Sequence, residues 1–202
     1  MAVEQLAEDY ASQPVIFIEY DVDSNDFSQR ESIWWTAYGG GSVTLPMVMV
    51  DSGNQINNGY VNFASVYKGM VDAALAREAQ AAITATANRV GDTLHFDVDV
   101  TNRSGIPISS ANAAKVWVIV YEEFASPGGE RLTSRYVRAV TSVSISPELA
   151  NDASGSYSLD TPALSGVDWN NLRAIVLVDY RPDGSSAYDM LQAVRVSSFS
   201  QK

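Results

Sequence analysis

The chain has no cysteine and a single histidine among its 202 residues. Without thiols it cannot form disulfide bonds, thiolate metal sites or cysteine nucleophiles, although this absence does not identify its redox compartment. One histidine cannot build a histidine-cluster metal site. No stretch approaches the roughly 20 apolar residues of a membrane-spanning helix. We therefore expect no cofactor, no thiol chemistry within this sequence and no insertion into a membrane.

Basic residues are also scarce, since 13 Lys and Arg stand against 24 Asp and Glu, for a formal charge of -11. Nucleic acids and anionic membranes bind to basic faces, so neither is expected as a partner. The excess of acidic residues is not evenly distributed along the chain. Residues 1–76 hold 10 acids and 2 bases, whereas residues 77–202 hold 14 acids and 11 bases. This asymmetry indicates two units with a boundary near Arg77.

Hydrophobic residues make up 46% of the chain, which is enough for a substantial core. In the first unit, apolar spacing and turn residues predict alternating helices and strands. The predicted elements are a helix over 3–12, a strand over 14–20, a helix opened by the capping-box pattern Ser28-Gln29-Arg30-Glu31, a hairpin whose first strand lies within 42–50 and whose second lies around 55–60, and a helix over 63–78. The predicted order is α-β-α-β-β-α.

From Ala81 onward the hydrophobic period changes from helical to two. Two alternating runs meet at a turn within 88–92, and further strands are predicted over 115–124, 132–143, 155–159, 172–180 and 188–196. About seven strands without a strong helix pattern predict an immunoglobulin-like or fibronectin-like β-sandwich. The fold class is therefore α+β, with one unit over residues 1–79 and an all-β sandwich over 80–202.

The first unit resembles the C-terminal two-thirds of a thioredoxin-like domain. PVIFIEYDVDSND corresponds to a strand and its following loop, SVTLPMVMVDSGNQINNGY to the proline-led hairpin, and FASVYKGMVDAAL to the closing helix. The whole chain is similar to secreted or envelope proteins in which a thioredoxin-like domain precedes a β-sandwich. The resemblance implies an extracytoplasmic protein that is periplasmic, secreted or attached to the cell envelope.

The resemblance is partial, because thioredoxin-like enzymes carry Cys-x-x-Cys at the start of the helix that corresponds to residues 3–12. That motif and the central strand before it would stand upstream of Met1. A sheet without its central strand leaves two rows of backbone donors and acceptors unpaired. We therefore expect the chain to be an N-terminally truncated part of a longer protein. The alternative is a smaller, rearranged sheet in which the remaining strands close up.

Four residues are candidates for a peptide-binding site. The resemblance implies that the Leu45-Pro46 peptide is cis and presents the backbone of Leu45 to an extended peptide, whereas an ordinary trans proline at a strand start is the alternative. Trp34 and Trp35 point about 100° apart on one helix, so at most one is deeply buried. The other is then free to cover a contact between the units or to stack on a peptide or sugar.

A metal site is weakly indicated at Asp21, Asp23 and Asn25, which imitate the start of a calcium-binding loop. An EF-hand loop needs Gly at its sixth position and Glu at its twelfth, where this chain has Asp26 and Ser32. The pattern therefore favours a solvated loop over a calcium site.

His95 lies out of phase with Leu94, Phe96 and Val98, so it is predicted to face solvent or the opposite face of the sheet. A Ser-His-Asp triad would need an acid and a serine beside it. Nothing in the local sequence favours that arrangement over a surface histidine.

The sequence favours a non-catalytic binding or structural module of an extracytoplasmic protein, with a protein or peptide as partner. Two other functions stay open. The chain is the C-terminal part of a thiol-disulfide oxidoreductase if a Cys-x-x-Cys lies upstream of Met1. It is a calcium-dependent glycan-binding module if its aromatic and acidic residues form such a site.

Overall fold

The computed structural model describes residues 2–21, 28–58, 63–126 and 133–201. Three helices lie in the first part of the chain: α1 (Ala2–Asp9), α2 (Ser28–Tyr38) and α3 (Phe63–Leu75). All three were predicted, although α1 and α3 each end three residues earlier than expected. Helices α1 and α3 pack on each other through a small apolar cluster made of Leu6, Tyr10, Tyr67, Met70 and Val71. No helix of the described ranges is long and apolar enough to cross a membrane.

A short antiparallel hairpin joins α2 to α3. Strands β1 (Met47–Val50) and β2 (Gln55–Asn58) pair with Met47 opposite Asn58, and a 3-10 turn over Asp51–Gly53 connects them. Gly53 has φ of +87°, and a Cβ there would lie 3.1 Å from Cβ of Trp34, so the turn needs glycine where it passes α2. The peptide before Pro46 is cis, as the resemblance implied. Residues 59–60, predicted to end β2, lie outside the described ranges.

The rest of the chain forms two stacked sheets. Its strands are β3 (Ala81–Val90), β4 (Thr93–Asn102), β5 (Lys115–Glu123), β6 (Arg135–Ser144), β7 (Ser154–Asp160), β8 (Leu172–Tyr180), β9 (Asp189–Val196) and β10 (Ser200–Gln201). They are ordered β10-β3-β4-β7 and β6-β5-β8-β9. This strand order is similar to that of immunoglobulin-like sandwiches, and the predicted β-sandwich is confirmed. The short strand β10 was not predicted, and Leu132, predicted to start β6, lies outside the described ranges.

The two sheets enclose the main core, to which every second residue of β4 contributes. Leu94, Phe96 and Val100 are completely buried there. Strands β5 and β8 are buried on both faces, because residues on their outer face, such as Trp117 and Ile175, are also about 95% buried. One face of the second sheet is therefore covered by the N-terminal part of the chain.

The segment over residues 14–20, predicted as a strand of an N-terminal sheet, does not pair with the hairpin. In the structure its one bridge is to the sandwich: Glu19 N–H donates to the Arg135 carbonyl oxygen at 2.9 Å, and Val137 N–H donates to the Glu19 carbonyl oxygen at 2.9 Å. The outer face of the second sheet needs an apolar cover, and this segment supplies it. We call residues 15–20 the bridging segment. Among the described residues, β1 and β2 form a sheet of only two strands.

Candidate functional site

A cavity of about 990 Å³ is lined by both the bridging segment and the hairpin. On one side it is bounded by the outer face of the sandwich, including Ile119, Ile175 and Leu177, and on the other by α3, including Val71 and Ala74. The bridging segment and residues of β1 also line it, and we call these two segments its walls. Its volume is at the upper end of the range of about 300 to 1,000 Å³ for ligand cavities. We call this cavity the slot.

The two walls of the slot lie in one layer of the molecule. In the bridging segment, Ile16 and Ile18 pack on the sandwich, whereas Val15 and Phe17 pack on the α1/α3 cluster. Such alternation is typical of an extended strand buried on both faces. In β1, Val48 and Val50 join the same α1/α3 cluster. The bridging segment and β1 therefore present equivalent faces to the helices, as two strands of one interrupted sheet would.

Within the described ranges, both walls carry backbone groups without a backbone partner. Ile16, Phe17 and Ile18 make no backbone–backbone hydrogen bond with any described residue. Glu19 directs its N–H and C=O toward β6, so the alternation of an extended chain directs those of its neighbours away from β6. Strand β1 pairs with β2 along one edge only among the described residues. These edges offer donors and acceptors to an occupant that has backbone groups of its own.

A buried ion pair fastens α2 to the sandwich at the slot. Nη1 of Arg30 lies 3.4 Å from Oδ2 of Asp179, and the two side chains are 1% and 0% exposed. The guanidinium lies over Trp34, 3.4 Å from the ring centroid, and over Trp117 at 4.6 Å. Nη2 of Arg30 also donates to Oγ of Ser52 at 3.3 Å. Burial lowers the pKa of Arg30 and raises the pKa of Asp179, while each charge opposes the shift of the other.

A second ionic contact joins the hairpin turn to β9. Nη1 of Arg77 lies 3.2 Å from Oδ2 of Asp51, and the same guanidinium contacts the carboxylate of Asp189. Nδ2 of Asn54 donates to that carboxylate at 3.5 Å. Burial raises the pKa of Asp51, and Arg77 partly offsets the rise. Together with the bond from Arg30 to Ser52, this contact ties the hairpin turn to the sandwich.

The structure separates the four residues predicted to bind a peptide. Trp34 is 7% exposed and lines the slot, whereas Leu45 is 48% exposed and lies outside the slot lining, as do Pro46 and Trp35. Trp35 is half-buried, stacks on Tyr38 with ring centroids 6.4 Å apart, and donates from Nε1 to the carbonyl oxygen of Gly41. One tryptophan of the pair is thus deeply buried and the other is not, which agrees with their predicted divergence.

The weak calcium candidate has one described member. Oδ2 of Asp21 accepts a hydrogen bond of 2.7 Å from the hydroxyl of Tyr136 on β6. Asp23 and Asn25 lie outside the described residues. Within the described ranges, no group of three or more acidic or histidine side chains is arranged to hold a metal ion.

His95 lies on the exposed outer face of the first sheet, which confirms its predicted orientation. Its Nδ1 is 2.8 Å from Oδ1 of Asp160, and its Nε2 is 3.4 Å from Oγ of Ser158 and 3.5 Å from Oδ1 of Asp97. The order serine, histidine, acid resembles a catalytic triad. Asp97 and Asp160 are 62% and 69% exposed, and Asp97 competes with Ser158 for Nε2. We therefore interpret the group as a solvated charge network.

Sequence reasoning missed three of these features. A missing central strand was expected to leave two unpaired edges, but the sandwich was not expected to line the space beside them, since that depends on which part of the chain covers which face. One sequence feature could have drawn attention to Arg30, because it is one of only 2 bases among residues 1–76. A second sequence feature could have drawn attention to Asp179, because it interrupts the otherwise apolar end of β8, LRAIVLVDY. No sequence feature indicated that Ser158 and Asp160 lie beside His95, because β7 brings them there from more than 60 residues away along the chain.

Among solved structures, the chain is similar to HBP35 of Porphyromonas gingivalis, with a TM-score of 0.60 and 12% identity over 86% of this chain and 59% of that one. The chain therefore spans about three-fifths of HBP35. The strands of the sandwich occupy only residues 81–201. Because the match covers more of the chain than these strands, the shared fold extends into the N-terminal part.

Looser matches include a DUF3823 family protein from Bacteroides ovatus, with a TM-score of 0.34, 14% identity and coverage of 59% of this chain and 56% of that one. A GH20 exo-β-N-acetylglucosaminidase from Vibrio harveyi has a TM-score of 0.28 and 11% identity over 61% of this chain and 18% of that one. These two superpositions are too loose to support an argument. No protein-family profile and no curated protein sequence matches the chain.

Proposed function

We propose that this chain is a non-catalytic module of an extracytoplasmic protein, and that it binds an extended segment of another polypeptide in the slot. One observation carries the proposal: among the described residues, the bridging segment and β1 line the slot and each has an edge without a backbone partner, and apolar residues of the sandwich and of α3 line the same space. Polypeptides bind to free strand edges through main-chain hydrogen bonds, and side-chain pockets supply the specificity.

We also propose that residues 1–79 are a thioredoxin-like unit that lacks one strand, followed by a sandwich over 80–202. The element order supports this view, because α1, the bridging segment, α2, the proline-led hairpin and α3 follow one another as the resemblance implies. Helix α3 packs against the hairpin, as a closing helix should. The proposed extracytoplasmic location depends on this same resemblance. An oxidoreductase role would need cysteines outside this sequence, because it contains none.

A glycan-binding role has one supporting observation, the stacked pair of Trp35 and Tyr38 at the surface, where Tyr38 is 46% exposed. Aromatic faces of this kind bind sugar rings through their apolar side. A glycan array probed with and without calcium tests this second candidate, and a hit that survives Tyr38→Ala would rule out the aromatic pair as its site.

A peptide-library screen against the full chain tests the main proposal. Helix α3 offers a matched pair of variants, because Ala74 lines the slot and its neighbour Ala73 is exposed. We expect hits that share a short apolar segment and bind at least tenfold more weakly to Ala74→Phe, with unchanged binding to Ala73→Phe. The absence of any hit, or equal loss of binding in both variants, would contradict a polypeptide-binding function for the slot.

A further inference from the structure

A second cavity lies between α2 and the turn that joins β8 to β9, and it shares no lining residue with the slot. Its volume is about 470 Å³, and ligand sites of about 300 to 1,000 Å³ often lie where two structural units meet. Its lining includes three residues of α2 and three of the turn, namely Ile33, Thr36, Ala37, Arg181, Ser186 and Tyr188. We call this cavity the α2 cleft.

The polar side chains of the α2 cleft have unused hydrogen-bonding groups. Those of Thr36, Arg181, Ser186 and Tyr188 form no hydrogen bond or ion pair with any described residue. A guanidinium carries five N–H donors, and each hydroxyl can both donate and accept. Arg181 is the one charged residue among the described residues that line the cleft. The cleft is therefore suited to a ligand that combines an anionic group with hydroxyl groups.

Tyr188 is the most deeply buried of these polar residues. It is only 8% exposed, yet its hydroxyl is not sealed off from solvent and has no partner among the described residues. Burial raises the pKa of Tyr188, and the charge of Arg181 partly offsets that rise. The guanidinium of Arg181 is therefore close enough to act on the hydroxyl. A ligand oxygen held by the guanidinium can then also accept a hydrogen bond from Tyr188.

Arg181 differs from the cations beside the slot. Arg30 is paired with Asp179, and Arg77 is paired with Asp51 and Asp189. Arg181 has no carboxylate partner among the described residues, although acidic residues outnumber basic ones in this chain by 24 to 13. Guanidinium groups match the geometry of carboxylates and phosphates, to which they donate two parallel hydrogen bonds. The unpaired guanidinium of Arg181 therefore favours a ligand with one of these oxyanions.

We propose that the α2 cleft binds a small acidic sugar, whose carboxylate or phosphate group contacts Arg181 and Tyr188. The hydroxyl groups of the sugar contact the hydroxyls of Thr36 and Ser186, and its apolar ring face lies toward α2, where Ile33 and Ala37 line the cleft. This site is separate from the slot, and it would give the module a second ligand of a different chemical class.

The test is a titration of the isotopically labelled full chain followed by NMR. The ligands are glucuronate, glucose 6-phosphate and glucose. We expect shifts of the amide signals of Thr36 and Ser186 with an acidic sugar, and binding of glucose that is about tenfold weaker or more, because it lacks the charge-assisted contact. The tighter of the two acidic sugars identifies the preferred oxyanion. Absence of binding by both, or equally tight binding of glucose, would overturn the proposal.

Two variants locate the ligand within the cleft. Arg181→Gln should bind the acidic sugar about tenfold more weakly or worse, whereas Arg103→Gln, at an exposed position outside the cleft, should bind it normally. Tyr188→Phe removes one hydroxyl and should weaken binding about fivefold. It should not change thermal unfolding, because that hydroxyl has no partner in the fold. Equal losses in Arg181→Gln and Arg103→Gln would indicate unspecific attraction to positive charge and would contradict the site.

A last comparison separates the α2 cleft from the slot. Ala74→Phe alters the slot alone, so it should leave the binding of the acidic sugar unchanged. Loss of sugar binding in Ala74→Phe would place the ligand in the slot and overturn its assignment to the α2 cleft. Thermal unfolding of Ala74→Phe and Arg181→Gln checks that both variants fold.

Discussion

Strand β5 and the bridging segment have similar sequences and very different environments. KVWVIVYEE and VIFIEY are both continuous apolar runs of the kind found in strands covered on both faces. Strand β5 pairs along both edges, with β6 and β8, and Val116, Val118 and Val120 are completely buried. The bridging segment makes one bridge, to Tyr136, and its side chains are half-buried. Apolar sequence thus places a segment in a buried layer, but neighbouring strands decide whether its backbone is satisfied.

The largest expected effect comes from breaking the buried ion pair that joins α2 to the sandwich. Arg30→Met leaves the completely buried carboxyl of Asp179 without its cation. Removing one partner of a buried pair costs about 3 to 5 kcal/mol. Because the pKa of Asp179 is raised by burial and would rise further without Arg30, the loss should be smaller at about pH 4 and grow toward pH 8. Urea unfolding at several pH values measures it.

The control for this prediction removes both charges. In Arg30→Met combined with Asp179→Leu, no charge is buried, and such replacements are often neutral or stabilising. The indole N–H of Trp117 loses its acceptor in that variant, so some destabilisation should persist. A double variant less stable than Arg30→Met alone would mean that Asp179 stabilises the fold by more than neutralising the charge of Arg30.

The sandwich was largely predictable from sequence, and the arrangement around the slot was not. Alternation in β4 predicted its buried face, because period-two hydrophobicity directly reflects which side of a strand is covered. The same reasoning placed residues 14–20 in a strand but could not assign its neighbour, Tyr136. Arg30 and Asp179 lie 149 residues apart, and local pattern carries no information on pairing at that distance. Sequence predicts that a face is buried, whereas the tertiary fold determines what buries it.

A matched pair of substitutions compares packing in the main core with packing at the slot. Ile108 is completely buried in the main core, whereas Ile18 is half-buried and lines the slot. Ile108→Ala should cost about 2 to 5 kcal/mol, since it leaves a cavity in a packed core. Ile18→Ala should cost less than about 2 kcal/mol, because its side chain already lacks neighbours on the slot side. Chemical denaturation measures both, and equal losses would show that the slot wall is packed like the core.

A larger side chain that fills part of the slot should stabilise the protein. Ala74→Leu adds three carbon atoms at a half-buried position that faces the slot. At about 0.8 kcal/mol per buried CH₂, partial burial should raise the free energy of unfolding by about 1 kcal/mol. The exposed control Ala73→Leu should change it by less than about 0.5 kcal/mol. Destabilisation by Ala74→Leu alone would mean that α3 lies too close to the sandwich to admit a side chain.

The smallest effect concerns Glu31, whose pKa is raised by burial beside the slot. A carboxyl with a raised pKa in the folded state favours folding while neutral, and this contribution is lost as pH rises through the raised value. Glu31→Gln should therefore match the unmodified protein at about pH 4 and be more stable at about pH 8. Urea unfolding at both pH values measures the difference. Water in the slot would solvate the ionised Glu31, so equal stability of the two proteins at both pH values would contradict a desolvated site for this carboxyl.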